Sequence, residues 1–515
     1  MVMLQLVSVV SLLVGSYWLY HNLWVFPSRH DHGEEKGCGR IHLLASSWKL
    51  PFGLDKLLKS LEAEGDRRLP LLSLEDHERY GDTFGQYAGG MFTVLTRDSR
   101  NIASLLSGQS SKFDYGNLRQ ICFGCLLGES IFTENGEDWK RSRKLLASQL
   151  QKPKFPSFPV IESHFQNMLR TISSSGETPL RIDVRPVFYD YTLDTGTDLF
   201  LGVSTNLLAA SSPINSEGRR FSLAFTKAVR WLATRERFKM FAFLVTGPGL
   251  WSVCHTARDS LENMIIQAQK QEMGSTITPF NDFLGQTTDL GKARDELISL
   301  LFAARDSSAS LLCWIVYVLA REPEVFQRLE KDVIAAVGND SNITPTDADL
   351  KKMRYLEDVV YECLRLFPAI PINGRICNTT TTLPAGGGET GEEPIFVPKG
   401  TLVCFSTFGC HRSTKYYGED AMVFRPQRWR EVDVNTRTRD FTLHPFIGGP
   451  RKCLGEDYAL KLTRYTVCRL IQCFSAIEVD SVDSRDGPDW QKKIKYQIGV
   501  TMAPDDGLHV KFTRR

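Results

Sequence analysis

The chain has 515 residues, more than one ordinary domain needs, and 42% of them are hydrophobic, so it can bury a large core. Its 62 Lys and Arg against 60 Asp and Glu leave a formal charge of +2, which provides no bulk field for holding nucleic acid. The twelve cysteines are scattered and sit mostly inside apolar runs, the usage of small buried hydrophobes in a reducing compartment rather than of a disulfide framework.

From Met1 to Tyr20 the chain has no charged side chain and is rich in Leu, Val and Met. As a helix rising about 1.5 Å per residue it reaches about 30 Å, the thickness of a bilayer's hydrocarbon. Tyr17, Trp18, Tyr20 and Trp24 cluster at its downstream end, where amphipathic aromatics settle among headgroups. No small-x-small cleavage site precedes them, so residues 1–26 are predicted to be a transmembrane signal anchor. Arg29, Lys36 and Arg40 follow the span, and the positive-inside rule then places the remainder in the cytosol. On that topology Asn342-Ile343-Thr344 and Asn378-Thr379-Thr380 never meet the glycosylation machinery.

Residues 27–68 are polar and irregular at first, then helical near Leu54 to Glu64, a hinge between anchor and domain. Beyond them no Pro/Ser/Gly linker of useful length interrupts the pattern, and residues 69–515 are predicted to form one large domain, mainly α with a small β region. Cys122-x-x-Cys125 has no second cysteine pair nearby to complete a zinc site. A basic helical segment starts around Trp139 and continues Lys140-Arg141-Ser142-Arg143-Lys144. The apolar stretch from Leu297 to Ala320 is long enough to span a bilayer, but Arg305 and Asp306 lie mid-segment with Ser307, Ser308 and Ser310 around them. Charges there are costly in lipid, so a long core helix is predicted, broken at Pro323.

Glu362-x-x-Arg365 puts two opposite charges on one helix face. Beyond residue 370 the pattern changes to short Pro-, Gly- and Thr-rich segments, with Ala385-Gly386-Gly387-Gly388 and Pro398-Lys399-Gly400 read as turns. Last comes Phe446-Ile447-Gly448-Gly449-Pro450-Arg451-Lys452-Cys453-Leu454-Gly455, a loop that presents one cysteine just before a helix. That arrangement suits a thiolate iron ligand. The glycines are expected to let backbone approach a flat cofactor, loop N–H groups to face the sulfur, and Arg451 to offer a forked cation to a carboxylate.

This ten-residue run resembles the haem-binding signature of the cytochrome P-450 monooxygenases. The resemblance covers nearly all of the chain after the anchor. It implies the cytochrome P-450 fold, haem b held by Cys453 as the metal ligand, and Phe446, Gly448, Arg451 and Gly455 among the cofactor-binding residues. Trp139 and Arg143 resemble the family's Trp-x-x-x-Arg helix, and with Arg375 and Arg451 they are implied partners of the haem propionates. Ala303 to Ser308 resembles the oxygen-activation motif, with Asp306 and Ser307 as the acid-alcohol pair. There a hydroxyl must stand beside the bound dioxygen while the carboxylate links it to solvent. Ala304 stands where glycine is common, and Ser307 where threonine is more frequent. Glu362, Arg365 and Arg428, the last within Phe424 to Trp429, match a buried structural network.

An NADPH-dependent reductase is the implied electron source, docking on Lys140, Arg141, Lys144, Lys452, Lys461 and Arg464. Leu127 to Trp139, Asn378 to Gly388 and Phe424 to Trp429 look like the fungal branch that includes alkane and fatty-acid hydroxylases, whose members also tailor polyketides and terpenoids. The implied protein is a single-pass enzyme of the endoplasmic reticulum membrane with a cytosolic catalytic domain. It inserts one oxygen atom into a C–H bond of a lipophilic substrate, whose pocket is walled by Phe113 to Phe132, Phe302, Ala303, Ile370 and Ile372. A haem-thiolate isomerase or dehydratase and a non-catalytic membrane haem-binding protein are the alternative readings.

Overall fold

A computed structural model of the protein describes residues 15, 16, 33, 35–44, 53–88, 91–151, 155–173, 179–210, 213, 215–271, 289–480, 490–505 and 508–515. Apart from residues 15 and 16, the expected anchor 1–26 lies outside the described residues. The helices of ten or more residues among them are α1 (Leu54–Gly65), α2 (Leu69–Tyr80), α3 (Leu118–Leu127), α4 (Gly136–Leu150), α5 (Phe158–Ser173) and α6 (Val184–Leu201), then α7 (Glu217–Phe238), α8 (Pro248–Gln271), α9 (Leu290–Leu319), α10 (Pro323–Ala336), α11 (Arg354–Leu366) and α12 (Glu456–Cys473). The helical end of the predicted hinge is α1.

The 30-residue helix α9 is the axis of the fold. Asp289 caps it by accepting from the Lys292 N–H, and almost every residue from Leu297 to Leu319 is buried, as expected of a helix apolar all round. Most of its surface packs inside the protein, including Arg305 and Asp306, so its length reflects a core role. Helices α6, α8, α11 and α12 lie against it. Trp314 stacks on Phe367 with centroids 4.2 Å apart, while its indole N–H donates to Met502 O at 3.1 Å. The polar atom of a buried indole thus finds an acceptor without interrupting the packing. Pro323 opens α10, where a missing N–H costs nothing.

Among the described residues the β region is one six-stranded sheet and three smaller ones, one of which contains β5 (Leu180–Asp183). In the largest, β2 (Thr83–Ala88), β3 (Met91–Thr96), β9 (Leu402–Ser406) and β6 (Ile372–Cys377) lie side by side, between β1 (His42–Leu43) and β4 (Phe113–Asp114) at the edges. Gly400, at φ 86°, makes the expected turn before β9 and donates its N–H to Cys377 O at 2.7 Å. The segment Ala385–Gly387, read as a turn, belongs to a strand, β7 (Thr381–Gly387), paired with β8 (Glu393–Val397). The pairing shifts register between Leu383 and Gly387, where the Asn101 amide bridges both backbone groups of Ala385 at 2.9 and 3.0 Å. A side chain from outside the hairpin satisfies the bulge, and the chain turns back only at Gly388 to Gly391.

Candidate functional site

Cys453 lies between a single 3-10 turn, Gly449–Arg451, and helix α12, whose N-cap is Gly455. Its N–H donates to Phe446 O and that of Lys452 to Gly449 O, each at 3.0 Å, which pinches the loop closed. Burial pushes the Cys453 thiol up, and it is opposed by the Gly455 N–H bonded to the sulfur and by the charges of Arg143 and Lys452. Protein encloses the sulfur, yet Cys453 keeps enough accessible surface to count as exposed, the condition of a side chain facing an internal space.

Two of the loop glycines make room for the protein itself. A Cβ on Gly448 would come 2.4 Å from the Phe441 ring, and one on Gly449, at φ 65°, 1.7 Å from Leu106 O. Gly455 is the glycine beside the sulfur, where an added Cβ would stand 3.9 Å from Sγ.

Above this loop three guanidiniums converge on one phenol. Arg119, Arg375 and Arg451 lie 3.4, 4.3 and 4.8 Å from the centre of the Tyr115 ring, and Arg451 also lies 4.1 Å from that of Trp139. Strand β6 supplies Arg375, α3 supplies Arg119 and α4 supplies Trp139 with Arg143, whose guanidinium stands 5.7 Å from the indole. Arg375 donates to Asn373 Oδ1 and Gly374 O at 3.2 and 2.8 Å, Arg451 to Asn135 Oδ1 at 3.4 Å, and Arg119 to Phe132 O at 3.4 Å. Burial lowers the pKa of Arg375 and, with the charges of Arg375 and Arg119, takes that of Arg451 to about 10, while Tyr115 opposes both shifts.

Among the described residues no carboxylate forms an ion pair with any of these three cations, although Asp114 attracts Arg451 through space. Arg375 Nη2 is buried without an acceptor. Crowded like charges with a buried, unfilled donor call for an anion, and a dicarboxylate such as haem satisfies them with two propionates. The donor set therefore fits that group.

Beside this cluster is a cavity of about 330 Å³ whose lining includes Tyr115, Phe123, Phe132, Phe302, Ile370 and Ile372. Phe302 of α9 meets Phe132 edge to face with centroids 5.7 Å apart. Lys56, Asp76, Glu236, Arg237 and Lys239 form a charged part of the lining that was not anticipated from the sequence.

The family model for cytochrome P-450 matches residues 62–501. Similar proteins include cytochrome P-450 52A13 of Debaryomyces hansenii, 32% identical over 98% of this chain and 97% of that one. Cytochrome P-450 52A6 of Candida tropicalis is 32% identical over 89% of each chain, and cytochrome P-450 monooxygenase himC of Aspergillus japonicus is 31% identical over 97% of this chain and 88% of its own. The chain belongs to the cytochrome P-450 family. As a cytochrome P-450 it is a haem b monooxygenase that draws electrons from NADPH through a reductase.

The acid-alcohol pair of this cytochrome P-450 is arranged differently from the direct solvent link expected. Ser307 donates its hydroxyl to Ala303 O at 2.6 Å, the back-bond open to a mid-helix serine. Asp306 is only 7% exposed and pairs with its neighbour Arg305 at 3.3 Å. Burial raises the Asp306 carboxyl's pKa against the pull of Arg305. Arg305 lies 5.2 Å from the Tyr189 ring of α6 and donates to Thr226 Oγ1 at 2.8 Å. Because α6 packs along α9, the carboxylate meets protein rather than water. Half-buried Asp190 on α6, whose carboxyl burial pushes up to about 6, feels the charge of Arg305. Asp306, Ser307 and Ala303 do not line the cavity.

Glu362, Arg365 and Arg428 form the buried network expected, with Arg428 Nε donating to Glu362 Oε1 at 2.9 Å. The basic face is more balanced than its residue types imply. Lys140, Arg141, Lys452 and Lys461 pair with Glu137, Asp138, Glu456 and Asp457, and Arg464 with Glu357 at 3.5 Å. Tyr115 and Arg119 lie in the segment expected to wall the pocket and do line it, but their part in the cation cluster is new. The available signal is that Arg119 is the only charged residue in the ten-residue apolar helix α3.

Proposed function

We propose that Cys453 is the thiolate ligand of the haem iron, that Arg375, Arg451 and Trp139 receive the propionates, and that Arg143 supports the sulfur's charge. Phe446, Gly448 and Gly455 shape the ligand loop. The observation that carries this reading is the guanidinium cluster around Tyr115, with its buried unfilled Arg375 donor, next to a cysteine loop whose Gly455 N–H faces the sulfur. Haem bound through a thiolate activates dioxygen so that one oxygen atom enters a C–H bond and the other leaves as water. Asp306 and Ser307 are the acid-alcohol pair that delivers protons during oxygen activation, burial raising the affinity of the Asp306 carboxyl for a proton.

The substrate is lipophilic: a fatty-acid or alkane-like chain, or a polyketide or terpenoid secondary metabolite. The aromatic and aliphatic cavity walls support that class. Residues 1–26 anchor the protein in the endoplasmic reticulum membrane, residues 27–68 act as the hinge, and the catalytic domain from residue 69 onward faces the cytosol. Exposed Leu54, Leu58 and Leu61 of α1, with Met240, Phe243, Leu244 and Trp251 beyond α7, support contact with lipid. The Arg237–Glu64 pair at 2.7 Å joins the two regions beside the cavity. The NADPH-dependent reductase docks on the face carrying Lys140, Lys144 and Lys452.

The test is the carbon monoxide difference spectrum of the reduced protein, wild type against Cys453→Ala, followed by turnover with and without reductase. A strongly red-shifted Soret band lost in the variant supports the ligand assignment. Its absence from folded, haem-supplied wild type overturns it. Product formation that needs neither reductase nor dioxygen would overturn the monooxygenase role.

A further inference from the structure

Among the described residues the cavity beside the guanidinium cluster is lined by five cations, Lys56, Arg119, Arg237, Lys239 and Arg375, against two carboxylates, Asp76 and Glu236. Four of the cations are already matched. The Lys56 ammonium donates to Asp76. Arg237 pairs with Glu64 at 2.7 Å and donates to Ile498 O at 2.6 Å, while Arg119 and Arg375 belong to the cluster around Tyr115. Lys239 is the exception. Its Nζ meets one carboxylate among the described residues, Glu236 at 3.7 Å, which is too far for a hydrogen bond. Burial works against its charge, yet its surroundings, Glu236 foremost, hold the pKa above the usual lysine value. A protonated ammonium with unfilled donors therefore stands in the wall of a largely apolar cavity.

The backbone presents this side chain under strain. Lys239 ends α7 at φ 51° and ψ −115°, with its N–H donating to Glu236 O, a conformation that residues with a side chain rarely adopt. Outliers of this kind cluster at ligand clamps. A cation at a helix C-terminus is ordinarily explained by the helix dipole, but that role needs neither the strain nor a place in the cavity wall. Lys239 also opens the 3-10 segment Lys239–Leu244, whose Met240, Phe243 and Leu244 are exposed, so the ammonium lies just inside the face suited to lipid.

We propose that Lys239 is a specificity-determining residue that binds the carboxylate of an acidic lipophilic substrate. The inference rests on the reading of this cavity as the substrate pocket and narrows the substrate to a monoanion with a hydrocarbon body. One ammonium with Glu236 already 3.7 Å away has room for one more negative charge, whereas a phosphate would bring nearly two beside that carboxylate. An uncharged hydrocarbon leaves the ammonium desolvated and unpaired, which makes it the poorer ligand. The body of the acid then lies against Phe123, Phe132 and Phe302, and Phe302 belongs to α9, the helix that carries Asp306 and Ser307.

Full-length, haem-loaded wild type, Lys239→Met and Lys239→Arg are titrated with sodium dodecanoate and with methyl dodecanoate, which has the same chain without the charge. Binding is read from the shift of the haem Soret band. Wild type is expected to prefer the acid, and Lys239→Met to bind it about ten- to a hundredfold more weakly, the range of one charged hydrogen bond, with its affinity for the ester unchanged. Lys239→Arg is expected to keep the preference. Wild type that binds the acid no more tightly than the ester, or that binds neither, would overturn the proposal. Equal weakening of acid and ester in Lys239→Met would assign the residue to packing, and haem loss in that variant would assign it to a propionate. The carbon monoxide band of the reduced wild type separates the two levels of failure: with the band present these outcomes overturn the role of Lys239 alone, and without it the haem reading beneath it falls as well.

Discussion

Arg365 grips Glu362 with two parallel hydrogen bonds, Nε to Oε2 at 3.0 Å and Nη2 to Oε1 at 2.8 Å, and neither side chain has any solvent exposure. The remaining donors of Arg365 reach His411 O, Ala421 O and Val423 O at 2.8, 2.6 and 3.1 Å, so one guanidinium ties α11 to the segment that precedes the cysteine loop. Replacing it with alanine leaves the buried Glu362 carboxylate with Arg428 as its one cation among the described residues and breaks a buried network, which typically costs about 3 to 5 kcal/mol. Arg365→Ala is expected to accumulate as haem-free protein. Normal haem content, measured by absorbance against protein mass, would contradict this.

The guanidinium cluster makes an opposite prediction for the two forms of the protein. Without propionates, Arg375 adds to the repulsion that already lowers the pKa of its buried neighbour Arg451; with them, it supplies a charged hydrogen bond worth about 1.5 to 3 kcal/mol. Arg375→Met is expected to lose haem roughly ten- to a hundredfold faster, in line with that range. The melting temperature of its apoprotein stays level or rises. A fall in apoprotein stability as large as the loss in haem retention would assign Arg375 to packing instead.

Ser307 bears on coupling rather than on stability. Its hydroxyl is an extra donor to Ala303 O, so Ser307→Ala leaves the helix intact and costs about 1 kcal/mol or less. Without that hydroxyl the Asp306 carboxyl has no alcohol beside it to pass a proton on. Peroxide released per NADPH is expected to rise several-fold and product to fall, with Ser307→Thr close to wild type. Unchanged coupling in Ser307→Ala would remove the residue from the mechanism.

Gly449 and Gly391 share positive φ, 65° and 73°, but not surroundings. A methyl at Gly391 meets nothing within 4 Å, whereas at Gly449 it runs into Leu106 O. Gly391→Ala is expected to cost only the left-handed penalty of about 1 to 2 kcal/mol. Gly449→Ala adds a backbone collision and is expected to lower the melting temperature further and loosen haem. Equal melting temperatures in the two variants would show that the loop has room to relax.

The residues that spacing alone could find are those whose partners lie within a turn or a loop. Glu362 and Arg365 sit three apart on one helix, and Cys453 is flanked by its own turn. Tyr115 and Arg119 fall in the expected pocket wall, but their cluster with Arg375 and Arg451 was hidden because those partners come from distant parts of the chain, and residue type does not reveal that three cations will meet. The packing reason for Gly449 was equally hidden, since Leu106 lies more than 300 residues earlier. Asp306 was recognisable as an acid beside an alcohol, but its direction depends on α6 lying along α9, which no local pattern encodes.

His411 links the Glu362–Arg365 pair to the acid stability of the fold. Its Nε2 accepts the His444 N–H at 2.8 Å, so the ring proton is on Nδ1, which donates to Arg365 O at 3.2 Å. Protonation would turn the acceptor into a second N–H facing the first. Burial holds His411 well below the usual histidine range, with the His444 and Arg365 charges acting the same way, and burial takes His444 to about 4 and His77 to about 3. An unfolded histidine titrates near 6.5. Between that value and the folded one the unfolded chain binds more protons, so stability rises with pH through the window and is lost as pH falls. Each histidine contributes about 1.4 kcal/mol per pH unit below 6.5. Raised carboxyls such as Asp190 and Asp306 oppose this, since they bind protons in the folded state. For His411 the opposition does not extend to its own contacts, which are a carbonyl and an N–H. His411→Asn, which presents one acceptor and one donor, is expected to flatten the fall in melting temperature between pH 6.5 and 5 relative to wild type. An undiminished slope would mean that His411 is not among the groups taking up protons on unfolding.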